Sequence, residues 1–302
     1  MPNIFLYQIL NYYTSREDLD PGFLILDNSA NQRPDWYEYW PIRRFLLNER
    51  LDEDSFYGFL SPKFKHKTNM SASAAQEFVR QQLDTADVVL LSQSVHLPAY
   101  YSNIFQYGEA AHPGLINIAT QFFQRIGSPT NLQTLITTSR NEVYSNFFIA
   151  KPRFWRAWFD ISERLFKMAE TSTDPLNAEL CRNTAYRKRR NVQMKIFLME
   201  RIATWLIVRD PQFVVRARDP FIARSRIYKL PGAIVCDALK IAYLESGKLE
   251  YRDTFELFSR FGRLLSWQIR VGAFLGIRPI TACLDTLSSS WKKAGQMPPG
   301  TK

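Results

Sequence analysis

The chain has 302 residues, 46% of them hydrophobic and 23% charged, which is enough apolar content to bury a large core. No uncharged apolar run approaches the ~20 residues needed to cross a bilayer. Its 39 Lys and Arg against 29 Asp and Glu give a net charge of +10, which favours an anionic partner such as a nucleotide, a lipid headgroup or a nucleic acid, without choosing among them. The three cysteines, Cys181, Cys236 and Cys283, are far apart and odd in number, so reduced thiols in a cytosolic protein are the simplest reading.

The opening residues lack a basic leader and a small-residue cleavage site, so they read as a first buried strand and not as a signal peptide. Strands are expected near Ile4 to Ile9, Phe23 to Leu26, Phe56 to Leu60 and Ala86 to Leu91, with helices between and after them, an alternation that argues for an α/β layer structure. Pro34 to Asn48 reads as one helix, Ser73 to Leu83 as a second after the cap-like Ser71, and Pro98 to Ala111 as a third. A fourth helix opens at Pro113 and carries Leu115, Ile118, Ala119, Phe122 and Phe123 on one face. Val143 to Ala150 reads as a further strand, entering a helix whose aromatic residues Trp155, Trp158 and Phe159 sit at core spacing. After Asp210-Pro211 the pattern becomes mostly helical, over Gly232 to Glu245 and Asp253 to Ile277. An α/β region over 1–210 with a helical region over 211–302 packed on it is therefore expected.

Two strands end in polar and aromatic clusters. Phe23-Leu-Ile-Leu26 runs into Asp27 and Asn28, and Phe56 to Leu60 runs into Ser61, Pro62 and Lys63. Ligands of open α/β sheets sit where strand ends meet the loops that leave them, so Asp27, Asn28, Glu38 and Lys63 are expected to line one pocket. Glu38, Glu109 and Glu200 lie among aromatic or apolar neighbours, where desolvation raises a carboxyl toward neutrality and suits it to act as a base. Glu109 stands three residues before His112, so the two can share one helix end, with a helix cap as the plain alternative for His112. Glu200 lies in a segment apolar on nearly every face and needs a partner: Arg43, Asn146, a ligand, or a purely structural ion pair.

These segments, in this order, resemble a bacterial glycosyltransferase family of the GT-A type, found among capsule, O-antigen and exopolysaccharide enzymes. The resemblance rests on Asn31-x-x-Pro-Asp-Trp-x-Glu38-x-Trp40 followed by Phe56-Tyr-Gly-Phe-Leu60. It continues with Ala86 to Leu91 leading to Asn103-Ile-Phe-Gln-Tyr-Gly-Glu109 and His112-Pro113, then Tyr144 to Ile149 entering the aromatic helix, and Glu200-Arg201 before an apolar run. It spans residues 4 to 207, and departs where the family has a His-Tyr-Arg-Arg run and this chain has Ser61-Pro-Lys-Phe64.

The resemblance implies a GT-A-like (Rossmann-like) fold and a cytoplasmic, membrane-peripheral enzyme moving a sugar from a nucleotide-sugar donor to a glycan or lipid-linked glycan acceptor. Asp27, Asn28, Asn31, Trp36, Arg43, Ser61 and Lys63 would hold the donor. Glu109, His112 and Glu38 would do the chemistry, and Asn103, Asn146, Glu200 and Arg201 would support it or hold the acceptor. Asp52-Glu-Asp54 has the Asp-x-Asp spacing of a Mg2+ or Mn2+ site but precedes its strand instead of following one. Lys63, Lys65 and Lys67, with Arg43 and Arg44, offer the alternative of neutralising a leaving diphosphate without metal.

A non-catalytic binding protein for an acidic glycan or other polyanion is the main rival. A glycoside hydrolase is less attractive, because no two strand-end carboxylates stand out as a pair. Tyr186-Arg-Lys-Arg-Arg190 accompanies no recognised nucleic-acid fold, so no nucleic-acid partner is expected. In Arg252 to Ile277, Phe255, Phe258, Leu265, Ile269 and Phe274 provide apolar residues while Arg252, Arg260, Arg263 and Arg270 cluster on a face. That segment is either a helix resting on an anionic bilayer or a core helix with a solvated basic face.

Overall fold

The computed structural model describes residues 2–91, 98–186, 190–219 and 231–274. Its strands are β1 (Ile4–Asn11), β2 (Leu24–Asn28), β3 (Phe56–Leu60), β4 (Val88–Leu90), β5 (Phe148–Ala150), β6 (Asn183–Tyr186), β7 (Arg190–Gln193) and β8 (Val215–Ala217). Six of them form one mixed sheet in the order β2-β1-β3-β5-β4-β8, and β6 and β7 form a separate antiparallel hairpin. β1 is parallel to β2 and β3, and β4 is parallel to β8. β5 runs antiparallel between β3 and β4, so it is the one strand of that sheet opposing the others.

Alternation along the strands builds two cores. Leu6, Phe56, Leu60, Val89 and Ile149 face one way, onto α2 (Phe64–Thr68) and α3 (Ala72–Arg80). Ile9, Tyr57, Phe59, Val88, Leu90, Phe148 and Ala150 face the other way, into the larger core. That core is completed by α1 (Tyr39–Asn48), α4 (Ile104–Ala111), α5 (Leu115–Arg125), α6 (Pro152–Glu170), α7 (Asn177–Cys181) and α8 (Met194–Arg209). Period-2 apolar runs bounded by polar strand ends therefore yield a three-layer α/β/α body. Trp155 and Trp158 of α6 are fully buried in it, and the Trp155 indole donates to the Tyr57 carbonyl at 2.9 Å.

The differences from expectation lie where backbone geometry intervenes. Pro34 to Asn48 is not one helix: a 3-10 turn at Pro34–Trp36 stops at Tyr37, whose φ of 47° and ψ of −127° no helix accepts. Val143 to Ala150 is strand only over β5, because Ser145 (φ 51°) and Asn146 (φ 56°) form a left-handed turn before it. Pro98–Tyr100 is a separate 3-10 turn, and α4 starts afresh at the buried N-cap Asn103. The sheet also crosses the expected boundary at residue 210, since β8 adds an edge strand beside β4.

Beyond β8, α9 (Pro231–Ser246) and α10 (Leu249–Phe274) form a hairpin packed on the Pro98–Tyr100 turn. Tyr100 is buried between Gly232 and Gly262. Buried polar side chains fasten the hairpin: Asp237 accepts from the Ser139 amide and hydroxyl, and Lys240 Nζ donates to the Tyr101 carbonyl at 3.1 Å. Among the described residues the expected basic face of α10 is incomplete. Arg263 donates inward to the Tyr100 carbonyl, Arg252 pairs with Asp253, and Phe258 is exposed while Phe255 is buried. The side chains of Leu265, Ile269, Arg270 and Phe274, all of Ile277 and Cys283, and residues 187–189 of the basic run lie outside the described residues.

A Cβ on Gly262 would overlap the Tyr100 ring. Gly262→Ala should therefore loosen this hairpin at a cost of about 1–3 kcal/mol for overpacking, set against at most ~1 kcal/mol gained in helix propensity. Amide exchange should accelerate in α9 and α10 while β1, β3 and β5 keep their protection. Unchanged exchange in both helices would show that Tyr100 gives way instead.

Candidate functional site

β2 lies on one side of β1 and β3 on the other, so the chain leaves β1 in opposite directions and opens a crevice at the carboxyl ends of β1 and β3. Gln8, buried in β1, fixes the β3 side by donating to the carbonyls of Pro62 (3.1 Å) and Ser61 (3.4 Å) and accepting from the Asp20 amide. A cavity of about 460 Å³ lies at this edge, a size suited to a small ligand. Tyr13 enters it from beyond β1, and Ser61, Lys63 and Lys67 from β3 and α2. Trp36, Tyr37, Glu38 and Tyr39 come from the entry to α1, Ser145 and Asn146 from the turn before β5, and Ile196, Phe197, Met199 and Glu200 from α8.

Three of the five non-glycine residues with positive φ among the described residues, Tyr37, Ser145 and Asn146, line this cavity. Such conformations cost of order 1–3 kcal/mol each and persist where surrounding contacts over-determine them. Arg33 holds Asp35 through two nitrogens at 2.9 and 2.8 Å and reaches Glu170 at 2.7 Å. Lys195, almost fully buried, donates to Asp35 at 2.7 Å and lies over the Trp36 ring, whose indole donates to Glu170 at 2.8 Å. On the far side of Tyr37, Tyr39 and Arg43 both bind Glu163. The strained residue is thus clamped to α6 and α8 from both directions, and Glu38 follows it into the cavity.

Glu38 Oε2 accepts from Asn146 Nδ2 at 3.3 Å, bridging the two left-handed segments. Burial pushes the Glu38 carboxyl above its usual range, and neighbouring Glu200 adds to that. The Lys67 charge and hydrogen bonds from Ser61 and Asn146 pull the other way. Glu200 is also raised by burial, against the charges of Arg201 and Lys67. Glu200 is given no hydrogen bond and no ion pair among the described residues, so the structural ion pair expected of it does not form. Asn146 is engaged by Glu38, and Arg43 by Glu163. Lys67 Nζ donates to Ser145 Oγ at 2.9 Å. The cavity thus combines two elevated carboxyls, two lysines and an aromatic wall.

The other candidates do different work. Glu109 does not line the cavity: its two oxygens accept from the amides of Gly114 and Ile116, each at 2.8 Å, and close the start of α5. His112 ends α4 and stacks on Phe197 at 3.5 Å, behind the cavity wall. Burial, aided by Arg201, lowers its titration to about 4, so the ring is neutral at pH 7. Asn103 caps α4 and donates to the carbonyls of Leu132 and Leu135. Arg201 points away from the cavity, donating to the Ile104 and Phe197 carbonyls. Asp27 is exposed and held by the Ser29 amide, and Asn31 sits in a left-handed turn closed on Asn28.

Asn28 reaches the site only indirectly, through Asn11 to the hydroxyl of Tyr13. Of the four residues expected in one pocket, Glu38 and Lys63 are there, and Asp27 and Asn28 are not. Asp52-Glu53-Asp54 forms the turn before β3: Asp52 accepts from Ser55 and the Asp54 amide, and Glu53 pairs with Arg156. Asp52 and Glu53 are thus engaged with protein groups, and no group of three side chains that could hold a metal ion occurs among the described residues.

Of the lining residues that sequence reasoning missed, Ile196 and Met199 had a readable signal, because they share the i, i+3, i+4 face of α8 with the candidate Glu200. Tyr13 and Ser145 had no such signal. In comparisons with family models, curated proteins and solved structures, nothing matches this chain.

Two outcomes are expected. A carboxyl whose folded titration lies above its unfolded value of 4.5 binds more protons when folded, so its contribution to stability falls as pH rises through the folded titration. Glu200→Gln should therefore raise the melting temperature at pH 8 and leave it nearly unchanged at pH 4, as thermal unfolding at the two pH values will read. Glu109→Gln should cost about 1–2 kcal/mol in denaturant unfolding through the weakened cap on α5, with no effect at the cavity.

Proposed function

We propose that this chain is a glycosyltransferase of the GT-A type, taking a sugar from a nucleotide-sugar donor and placing it on a surface-polysaccharide or lipid-linked glycan acceptor at the cytoplasmic face of a cell membrane. The observation that carries this reading is the joint presence of Glu38, Glu200, Lys63 and Lys67 in one aromatic-walled cavity at the carboxyl end of β1 and β3. Carboxylates accept from sugar hydroxyls, aromatic faces pack on the ring, and lysines take the charge of a diphosphate.

In this reaction the acceptor oxygen forms a bond to the anomeric carbon as the bond to the diphosphate breaks. The acceptor proton passes to Glu38, whose raised affinity for protons makes it a stronger base than an exposed carboxylate. Ser61 and Asn146 hold that carboxyl in place, while Lys63 and Lys67 stabilise the departing nucleoside diphosphate. Trp36, Tyr39 and Phe197 reduce the water that would otherwise compete as acceptor. With Asp52 and Glu53 engaged in the turn before β3, no metal step is assigned.

The carboxylate pair does favour one second reading, glycan hydrolysis, which needs an acid and a base but no anion site. Calorimetry separates the two: transfer predicts binding of nucleoside diphosphates that Lys63→Ala and Lys67→Ala each weaken about tenfold. Hydrolysis predicts no nucleotide binding and release of reducing sugar from a glycan. Glu38→Gln should lower turnover about 10²–10⁴-fold while keeping donor affinity, and turnover should survive chelator. Retained turnover in Glu38→Gln, or loss in chelator restored by manganese, would overturn these assignments.

A further inference from the structure

We infer that Glu200 makes the sugar subsite selective for a neutral, hydroxyl-rich sugar and closes it to sugars bearing a carboxylate, an inference that rests on the nucleotide-sugar reading of this cavity. Glu200 stands on the cavity face of α8, one turn from Ile196 and beside Met199, so it projects from an apolar wall. The charged groups that couple to it are each engaged. Glu38 is held by Asn146, Lys67 donates to Ser145, and Arg201 spends its donors on the carbonyls of Ile104 and Phe197 behind α8. Glu200 has neither hydrogen bond nor ion pair among the described residues, which leaves both its oxygens to a ligand.

An unengaged carboxylate in a walled cavity accepts hydrogen bonds and donates none while ionised. Sugar hydroxyls supply the donors it lacks. A hexuronic acid would instead set a third carboxylate against Glu200 and Glu38, with Lys63 and Lys67 occupied by the diphosphate. Like charges brought together in a poorly solvated site are a strong means of rejecting a wrong ligand. Burial raises the Glu200 titration, so the rejection should strengthen as pH rises and fade as the carboxyl takes up its proton.

The test is calorimetric binding of UDP, UDP-glucose and UDP-glucuronic acid, with GDP, GDP-mannose and GDP-mannuronic acid as a second series, to the wild-type chain and to Glu200→Gln. In the series that binds, the neutral sugar nucleotide should bind at least tenfold more tightly than its uronic counterpart at pH 8, with a smaller ratio at pH 5. Glu200→Gln should collapse that ratio, raising affinity for the uronic ligand more than for the neutral sugar nucleotide or the bare nucleotide. Equal wild-type affinity for neutral and uronic ligands, or a ratio that Glu200→Gln leaves unchanged, overturns the inference and leaves the donor-site reading standing. Failure of both bare nucleotides and all four sugar nucleotides to bind overturns the donor-site reading, and the inference falls with it. The wild-type comparison decides the matter even if Glu200→Gln does not fold.

Discussion

The constraint on which this site depends is the cost of holding carboxylates out of water at the end of a sheet. Glu38 and Glu200 both titrate high because burial disfavours their charge, and each raises the free energy of the folded chain at neutral pH. Glu38 is tolerated because Asn146, Ser61 and Lys67 answer it. Its position is tolerated because the backbone on both sides, at Tyr37 and at Ser145-Asn146, is forced into left-handed geometry and clamped there. The Arg33–Asp35–Lys195–Glu170 cluster is the clamp, and it joins the entry of α1 to α6 and to α8, which lines the cavity.

Several residues whose chemistry suits catalysis are consumed by the same rule applied elsewhere. Helix ends carry orphan amides and carbonyls, and a buried end must find partners. Glu109 answers amides at the start of α5 and Asn103 those at the start of α4, while buried Arg201 spends its donors on the Ile104 and Phe197 carbonyls. The residue types that move protons or hold substrates are also those that satisfy a helix terminus, so type and neighbourhood alone do not separate the two roles. Position at the carboxyl end of β1 and β3 does separate them.

The C-terminal hairpin follows a similar logic. Its arginines read on a helical wheel as a basic face, but Arg263 is drawn inward by the Tyr100 carbonyl and Arg252 is paired within its own helix. An outward stripe of Leu257, Phe261 and Leu264 remains, next to Arg260 and the acidic Asp253 and Glu256, so the described part of this surface has no marked positive character.

The sequence by itself determined the α/β class, the buried strand β3 from end to end and the aromatic core helix α6; of the residues it offered for a site, Trp36, Glu38, Ser61, Lys63, Asn146 and Glu200 line the cavity, while Asp27, Asn28, Asn31, Arg43, Glu109 and His112 do not. These were legible because apolar periodicity of 2 or 3.6 and the polarity of strand ends are local properties. Only the tertiary structure decided that Glu38 and Glu200, 162 positions apart, face each other's charge. It also decided that Tyr37 breaks the first helix, that Lys67 and not Arg43 answers the carboxylates, and that β8 extends the sheet beyond residue 210. The physical reason is that a side chain's partner is chosen by what the packed neighbours leave unsatisfied, and that choice exists only once the layers have closed.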